Sequence, residues 1–271
     1  GRAASGSEMG VHGESVTGKG LVAREVHWQR KRGEGPFRPV CLAELSPGVV
    51  GSELFGHVRG AFTGAATDRT GLLELAAGGS VLLDEIADTS MALQVKLLRA
   101  LEQREITPVG DSRSRPIDVR VIAATNRSLP ELIAAGEFRE DLFFRLSVFQ
   151  IQLPALRERK EDIPDLARKF LRRCRPGDDG DVHLTADVIA ALCEREWTGN
   201  VRELRNAIEH AAVASRGNTI RPEDLPSPAI VTRKVANPVE IVRETLSDWA
   251  RTAAIADDGD DELYERFLSL A

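Results

Sequence analysis

Two stretches of this chain pair residue types and spacings that can handle a nucleoside triphosphate. Gly13-Glu14-Ser15-Val16-Thr17-Gly18-Lys19 fits the pattern G-x-x-x-x-G-K. Its glycines let the backbone turn tightly, so that N–H groups point at phosphate oxygens. Lys19 brings a cation to the β- and γ-phosphates, and the helix that follows adds its positive N-terminal end. A Gly-rich surface turn is the competing reading of this stretch on its own. Ser80-Val81-Leu82-Leu83-Asp84-Glu85 reads as a short buried strand ending in two carboxylates. Parallel strands are apolar throughout, and ligands collect at their C-terminal edge. Asp84 is then suited to hold Mg2+ beside ATP, and Glu85 to polarise an attacking water. An exposed acidic turn is the alternative, and the phosphate loop upstream argues against it. Between the two lies Gly60-Ala61-Phe62-Thr63-Gly64-Ala65, whose single Phe and Thr suit contact with a partner. Gly60 and Gly64 permit hinge motion. The alternative, Phe62 packed in the chain's own core, fits poorly with two glycines and polar surroundings.

Such residues need elements to aim them. Leu21, Val22 and Val26 mark a helix after the phosphate loop, running to about residue 32. Pro39–Leu42 reads as a short strand. A helix begins at Ser52–Gly56, is interrupted by the Gly60–Ala65 loop and resumes near Gly71–Leu75. From Met91 to Arg104, Leu93, Leu97, Leu98 and Leu101 share one face at helical spacing. Residues 118–124 and 147–153 read as further strands. Strands alternating with helices imply an α/β fold, a parallel sheet flanked by helices. Residues 1–12 hold no convincing strand, with Gly10 and His12 where buried β-branched residues are expected.

Past Pro154 the pattern is helical only. Ile163, Leu166, Ala167, Phe170, Leu171 and Cys174 form one apolar stripe, and a breaker-rich loop follows over Arg175–Asp181. Thr185 is a candidate N-cap for a helix carrying Val188 and Leu192. Asn200 opens a third helix with Val201, Leu204, Ile208 and Ala211. A Pro-containing linker spans residues 222–238, and two weak amphipathic stretches follow near Val242-Leu246-Trp249 and Leu263–Leu268.

The 271 residues can bury one sizeable core, or a core plus a smaller helical lobe. A formal net charge of −6 argues against capture of nucleic acid by the whole surface. Cys41, Cys174 and Cys193 are widely spaced, which fits a reducing cytosol better than a disulfide scaffold. No apolar run approaches a membrane span and no signal-peptide pattern opens the chain, so a cytoplasmic protein without membrane contact is expected.

The order of these motifs resembles the central ATPase domain of bacterial enhancer-binding proteins, the AAA+ activators of sigma-54 RNA polymerase. The resemblance runs from about Gly13 to Pro226 and is to the NtrC-like response-regulator type of two-component systems. Besides Gly60–Ala65 it rests on Ser52–His57, Gly71–Ile86, Val121–Arg127, Phe138–Leu142, Leu156–Arg159 and Gly199–Leu204. It implies an AAA+ P-loop NTPase with a small all-helical lid, hydrolysing ATP with Mg2+. The implied division is a non-matching segment at 1–12, an α/β nucleotide-binding subdomain at 13–155, a lid at 156–228, and a linker with a partial helical tail at 229–271. The implied assembly is a homo-oligomer, a hexameric ring. The implied partner is the sigma-54 RNA polymerase holoenzyme, gripped by Gly60, Ala61, Phe62, Thr63, Gly64 and Ala65, with a second loop at Val109–Arg113 in support.

By the same resemblance, Gly13, Glu14, Ser15, Val16, Thr17, Gly18, Lys19 and Gly20 hold the nucleotide, with Arg202 reaching its phosphates from the lid. Asn126 orients water or senses the γ-phosphate. Arg139 and Arg145 serve as arginine fingers toward the neighbouring subunit, a planar fixed charge suiting a phosphoryl transition state. Ordinary alternatives stand beside each: a turn Asn, a pair of surface salt bridges, a solvated helix face. Some positions depart from the family. Val16 stands for Gly, Gly20 for Glu, Cys41 for an Asn that engages the catalytic Glu, and Thr198 for Pro. These keep open a nucleotide- or sigma-54-binding module with impaired hydrolysis. No receiver domain precedes Gly13 and no helix-turn-helix follows, so a fragment truncated at both ends, without sequence-specific DNA binding, is expected.

Overall fold

A computed structural model describes residues 8–29, 32–174, 183–215 and 219–227, all within one compact unit, Gly1–Ser227. The elements in the first part of the chain are β1 (Met9–His12), α1 (Lys19–Trp28), β2 (Phe37–Cys41), α2 (Pro47–Phe55), β3 (Gly56–His57), β4 (Arg69–Thr70), α3 (Leu72–Leu75) and β5 (Ser80–Asp84). Next come α4 (Met91–Gln103), β6 (Glu105–Ile106), β7 (Arg115–Pro116), β8 (Arg120–Thr125), α5 (Leu129–Ala134), α6 (Glu140–Leu146) and β9 (Phe149–Gln152). The remainder is helical apart from one two-residue pair: α7 (Ile163–Cys174), β10 (His183–Leu184), α8 (Ala186–Glu194), α9 (Asn200–Ala214) and β11 (Thr219–Ile220).

Five strands form the main sheet in the order β2-β5-β8-β1-β9, and every pairing is parallel. Strand order reverses at β1, so the crevice outside its C-terminal end is where a ligand belongs in such a sheet. Burial follows the reading of β5 and β8 as central strands. Val81, Leu82 and Leu83 are 3% exposed or less, and β8 is buried along its whole length.

β1 corrects the expectation that residues 1–12 lack a strand. Met9 and Val11 are buried, and β1 is hydrogen-bonded on both sides. The reason is a local exchange of volume. A Cβ on Gly10 would lie 3.1 Å from the His12 Nε2, so the small residue leaves room for the imidazole two positions on. Propensity is a weak guide where such packing decides.

The Gly60–Ala65 region also differs from an interrupted helix. α2 ends at Phe55 and the chain turns into a two-residue antiparallel ribbon, β3 with β4, that closes the neck of the loop. Gly56 and Gly71 pack so closely there that a Cβ on either would approach backbone atoms to 2.4 Å.

Helix starts follow capping chemistry. Ser90, Ser128 and Thr185 each accept from the backbone N–H three residues on. On α4, Leu93, Leu97, Leu98 and Leu101 all face the main core. α7, α8 and α9 close a separate core that includes Ile163, Leu171, Leu192, Trp197 and Ile208. No described helix is long and apolar enough to cross a membrane. The Arg175–Asp181 loop and the amphipathic stretches after residue 228 lie outside the described residues.

Candidate functional site

β1 delivers the chain into the loop Gly13–Gly18, and α1 begins at Lys19. Gly18 caps the helix in the left-handed region at φ 105°, which glycine adopts without strain. Lys19 is only 5% exposed, and its Nζ donates to the carbonyls of Gly13 at 3.1 Å and Glu14 at 3.3 Å. The same ammonium stands 4.0 Å from Glu85 Oε1. An ammonium folded onto loop carbonyls can exchange those partners for phosphate oxygens. These contacts also favour the loop reading over a plain surface turn.

Asp84 ends β5 and Glu85 follows it directly, at the C-terminal edge of the sheet. Asp84 Oδ1 accepts from the Glu85 N–H at 3.1 Å. Glu85 itself sits at φ 54°, a left-handed conformation rare for a residue with a side chain. Burial raises its pKa above the usual carboxylate range; Lys19 opposes that shift and Asp84 adds to it. Asn126, just past β8, closes the group. Its N–H donates to Glu85 Oε2 at 3.4 Å, and its Nδ2 to Ser15 Oγ at 2.6 Å. Phosphate loop, acidic strand end and Asn126 are therefore brought together. Beside them opens a cavity of about 380 Å³, lined by His12, Glu14, Asn126, Phe143 and Gln152 among others. Burial, aided by Lys19, holds the His12 imidazole below its ordinary pKa, so it favours the neutral form.

The helical lobe clamps this loop through residues whose spacing in the sequence does not mark them as site residues. Arg157 forks onto the Glu14 carboxylate at 2.6 and 3.0 Å. Asn200 Nδ2 donates to Glu14 Oε2 at 3.0 Å and to the Ser15 carbonyl at 3.2 Å, while its Oδ1 accepts from the Leu156 N–H at 2.8 Å. Arg159 donates to the Thr17 carbonyl at 2.7 Å. Both Leu156–Arg159 and Gly199–Leu204 stood out in the sequence. What it lacked was any sign that Glu14, inside the loop, is their shared anchor.

Three arginines stand apart from this cluster. Arg202 is exposed on α9 and makes no hydrogen bond among the described residues. Arg139 forks onto Asp141 at 2.6 and 2.9 Å. Arg145 donates to the Leu101 carbonyl at 3.0 Å. Neither Arg139 nor Arg145 bonds to the phosphate loop of its own chain.

The departures have visible consequences. Val16 is held at φ 60°, a conformation that a β-branched residue adopts only under strain. Gly20 has space around it, since an added Cβ would meet only Leu82 Cδ2 at 4.0 Å. Cys41 ends β2 opposite Asp84, and burial raises its thiol pKa.

The Gly60–Ala65 loop is a tight reversal. Gly60 N–H donates to the Ala65 carbonyl and Ala65 N–H to the Phe62 carbonyl, with Gly60 and Gly64 both at positive φ. Ala65 is buried, whereas Phe62 is 45% exposed, its ring edge-on to His57 at 5.0 Å. Val109 braces the neck by hydrogen bonds to Gly56 and Val58. Gly110 touches the loop so closely that a Cβ there would lie 2.6 Å from that of Ala61.

Comparison with known proteins agrees with this architecture. The family described as "Sigma-54 interaction domain" matches residues 2–152, and "AAA+ ATPase lid domain" matches residues 157–239. The chain is 48% identical over 219 residues to the Nif-specific regulatory protein of Herbaspirillum seropedicae, covering 80% of this chain and 40% of that protein. It is 46% identical over 217 residues to the regulatory protein AtoC of Escherichia coli, covering 80% and 47%. It therefore spans less than half the length of these two relatives. Among solved structures, NtrX from Brucella abortus in complex with ATP superposes with a TM-score of 0.74 at 35% identity, covering 89% of this chain and 56% of that one. The first family match takes in more than half of the residues, including the phosphate loop, the acidic strand end and the Gly60–Ala65 loop. The chain thus belongs to the sigma-54 interaction domain family, the AAA+ activators of sigma-54-dependent transcription.

Proposed function

We propose that this chain hydrolyses ATP and uses the energy to move the Phe62–Thr63 loop against the sigma-54 RNA polymerase holoenzyme, activating transcription. The observation that carries this reading is the convergence of Ser15, Lys19, Glu85 and Asn126 at the C-terminal edge of the sheet, with a half-exposed Phe62 at the far end of α2. The ATP-bound NtrX structure is consistent with nucleotide at this site.

Each residue has a role that follows from its position. The start of α1 and the loop N–H groups other than those of Gly13 and Thr17, which donate to the Thr125 and Glu14 carbonyls, are assigned to the phosphates, and Lys19 exchanges its loop carbonyls for phosphate oxygens. Asp84 is the carboxylate suited to a Mg2+ ion, which when bound neutralises phosphate charge; Gly20 adds no hydroxyl ligand there. Glu85 accepts the proton of the attacking water, oriented by Asn126. Arg139 and Arg145 act on the nucleotide of the next protomer in a ring, and Arg202 couples the lid to phosphate state.

The path to the loop is short. The turn Ile86–Asp88 follows Glu85 directly, and Ile86 and Ala87 share the main core with Leu42 of the turn Leu42–Glu44. That second turn leads through α2 to the neck at Gly56–His57. A shift at Glu85 is thereby passed along packed elements rather than through solvent.

A second reading, a binding module with weak turnover, is favoured by the strained Val16 and the Cys41 thiol. Steady-state phosphate release separates the two, with Glu85→Gln as control. A parent rate at least about a hundredfold above Glu85→Gln is expected; equal rates leave only the binding module. Phe62→Ala is expected to keep ATP turnover and lose capture of sigma-54 polymerase.

A further inference from the structure

Glu8, immediately before β1, is 2% exposed and carries a charge that burial tolerates only when it is paired. Its Oε1 accepts from Arg104 Nη2 at 2.8 Å and lies 3.6 Å from Arg145 Nη2. The two arginines are held differently. Arg104 is the C-cap of α4, and its Nη1 donates to the Val119 carbonyl at 3.0 Å, so backbone fixes it at both ends. Arg145 is tied at one corner only. Its Nη2 donates to the Leu101 carbonyl and faces Glu8, its Nε is buried with no hydrogen-bond partner among the described residues, and 36% of its side chain is exposed. Arg139, on the same stretch, is by contrast closed onto Asp141 through both Nε and Nη2.

We propose that Glu8 is a positioning residue for Arg145: anchored by Arg104, it pins the Nη2 corner of that guanidinium and leaves the outer Nη1 corner to meet the triphosphate of the neighbouring protomer. The inference rests on the reading of Arg145 as acting in trans. Glu8 also separates two guanidinium groups that would otherwise repel across a partly buried gap. Without its charge, Arg145 loses its aim. The loss falls on the transition state, where a fork must meet spreading negative charge, more than on ATP binding.

The test is Glu8→Gln, close in shape and neutral, assayed for steady-state phosphate release alone and in mixed assemblies. Alone, kcat is expected to fall about tenfold or more, with KM for ATP moving less than about threefold. Mixed with Glu85→Gln, which cannot hydrolyse but carries an intact Glu8–Arg145 pair, activity should exceed the average of the two pure proteins, because Glu8→Gln sites then receive a well-aimed arginine. A defect of folding alone would not recover on mixing. Glu8→Asp, which keeps the charge with a shorter reach, should fall between parent and Glu8→Gln, and it replaces Glu8→Gln in the mixture if the latter does not fold. A kcat equal to the parent's overturns the inference. So does failure to recover on mixing with Glu85→Gln when Arg145→Ala mixed with Glu85→Gln does recover. If Arg145→Ala also fails to recover, the trans role of Arg145 is itself wrong, and the inference falls with it.

Discussion

Replacing Val16 with Gly should stabilise the protein, against the usual effect of introducing glycine. Val16 occupies φ 60° inside the phosphate loop. Residues held in such sparsely populated regions cost about 1–3 kcal/mol, and a β-branched side chain belongs in the upper part of that range. Glycine escapes this strain but frees the unfolded chain, which costs about 0.4–1 kcal/mol. Little burial is lost, because Val16 is only half-buried and belongs to none of the three apolar clusters. The balance is a gain of about 1–2 kcal/mol, or about 2–8 °C in Tm for a chain of this size. Val16→Ala keeps the Cβ and with it a left-handed penalty of about 1–2 kcal/mol, so it should gain much less. The loaded loop needs the same turn to aim its N–H groups, so the strain is common to both states. Affinity for ATP should therefore change less than about threefold, or 0.7 kcal/mol. Urea unfolding gives the stabilities, with an unchanged m-value as the check on two-state behaviour, and titration with a fluorescent nucleotide gives affinity. A lower midpoint for Val16→Gly, or an equal gain for Val16→Ala, would refute the strain account.

Three further outcomes follow from the geometry. Burial raises the pKa of Glu85, so phosphate release should fail on acidification at a higher pH than an ordinary glutamate would dictate, and Glu85→Gln should lack that limb of the profile. The sign for stability is opposite: a carboxyl protonated more readily when folded penalises the folded state above its pKa, so Glu85→Gln should be slightly more stable near neutral pH. Arg157→Ala removes the fork onto Glu14, both partners being about a third exposed. Stability should fall by about 1 kcal/mol and hydrogen exchange in α9 should rise, with Arg157→Lys recovering little because a point charge cannot fork. Gly110→Ala forces a Cβ to 2.6 Å from Ala61 Cβ at φ 82°. That should cost about 2 kcal/mol or more and disrupt capture of sigma-54 polymerase while phosphate release persists; unchanged capture would show that the second loop does not brace the first.

What was legible in the sequence were the features whose physics is local. The apolar run before Asp84, the spacing of leucines on α4 and the cap at Thr185 each depend on neighbours within a few residues. β1 was obscured because its stability is not local. Gly10 and His12 look wrong for a buried strand taken singly, and make sense only once the imidazole is seen to occupy the volume that glycine vacates. The β3–β4 ribbon offers two residues on each side, too few to leave a period. The lid clamp was hidden for a third reason. Arg157, Asn200 and Glu14 are separated by most of the chain, and nothing about a loop glutamate states which distant arginine it will bind.

The three departures at the site do not weigh equally. Gly20 is the mildest: the space beside it is open, so a longer side chain would fit, and the lack of one does not distort the loop. Val16 strains the backbone but leaves the side-chain contacts of the loop in place, since Lys19 still donates to the Gly13 carbonyl and Asn126 to Ser15 Oγ. Cys41 bears on something else. It ends β2 opposite Asp84 and immediately precedes the turn Leu42–Glu44, the first link between the acidic strand end and α2. A protonated thiol is a weak donor and a poor acceptor, so the hydrogen bond that an amide would supply at this junction is lost while the apolar packing of Leu42 remains. Damage at Cys41 should therefore appear in coupling rather than in turnover. Cys41→Asn is expected to raise polymerase capture per ATP hydrolysed without changing the hydrolysis rate by more than about twofold, and a parallel rise in both would place the defect in the chemistry instead.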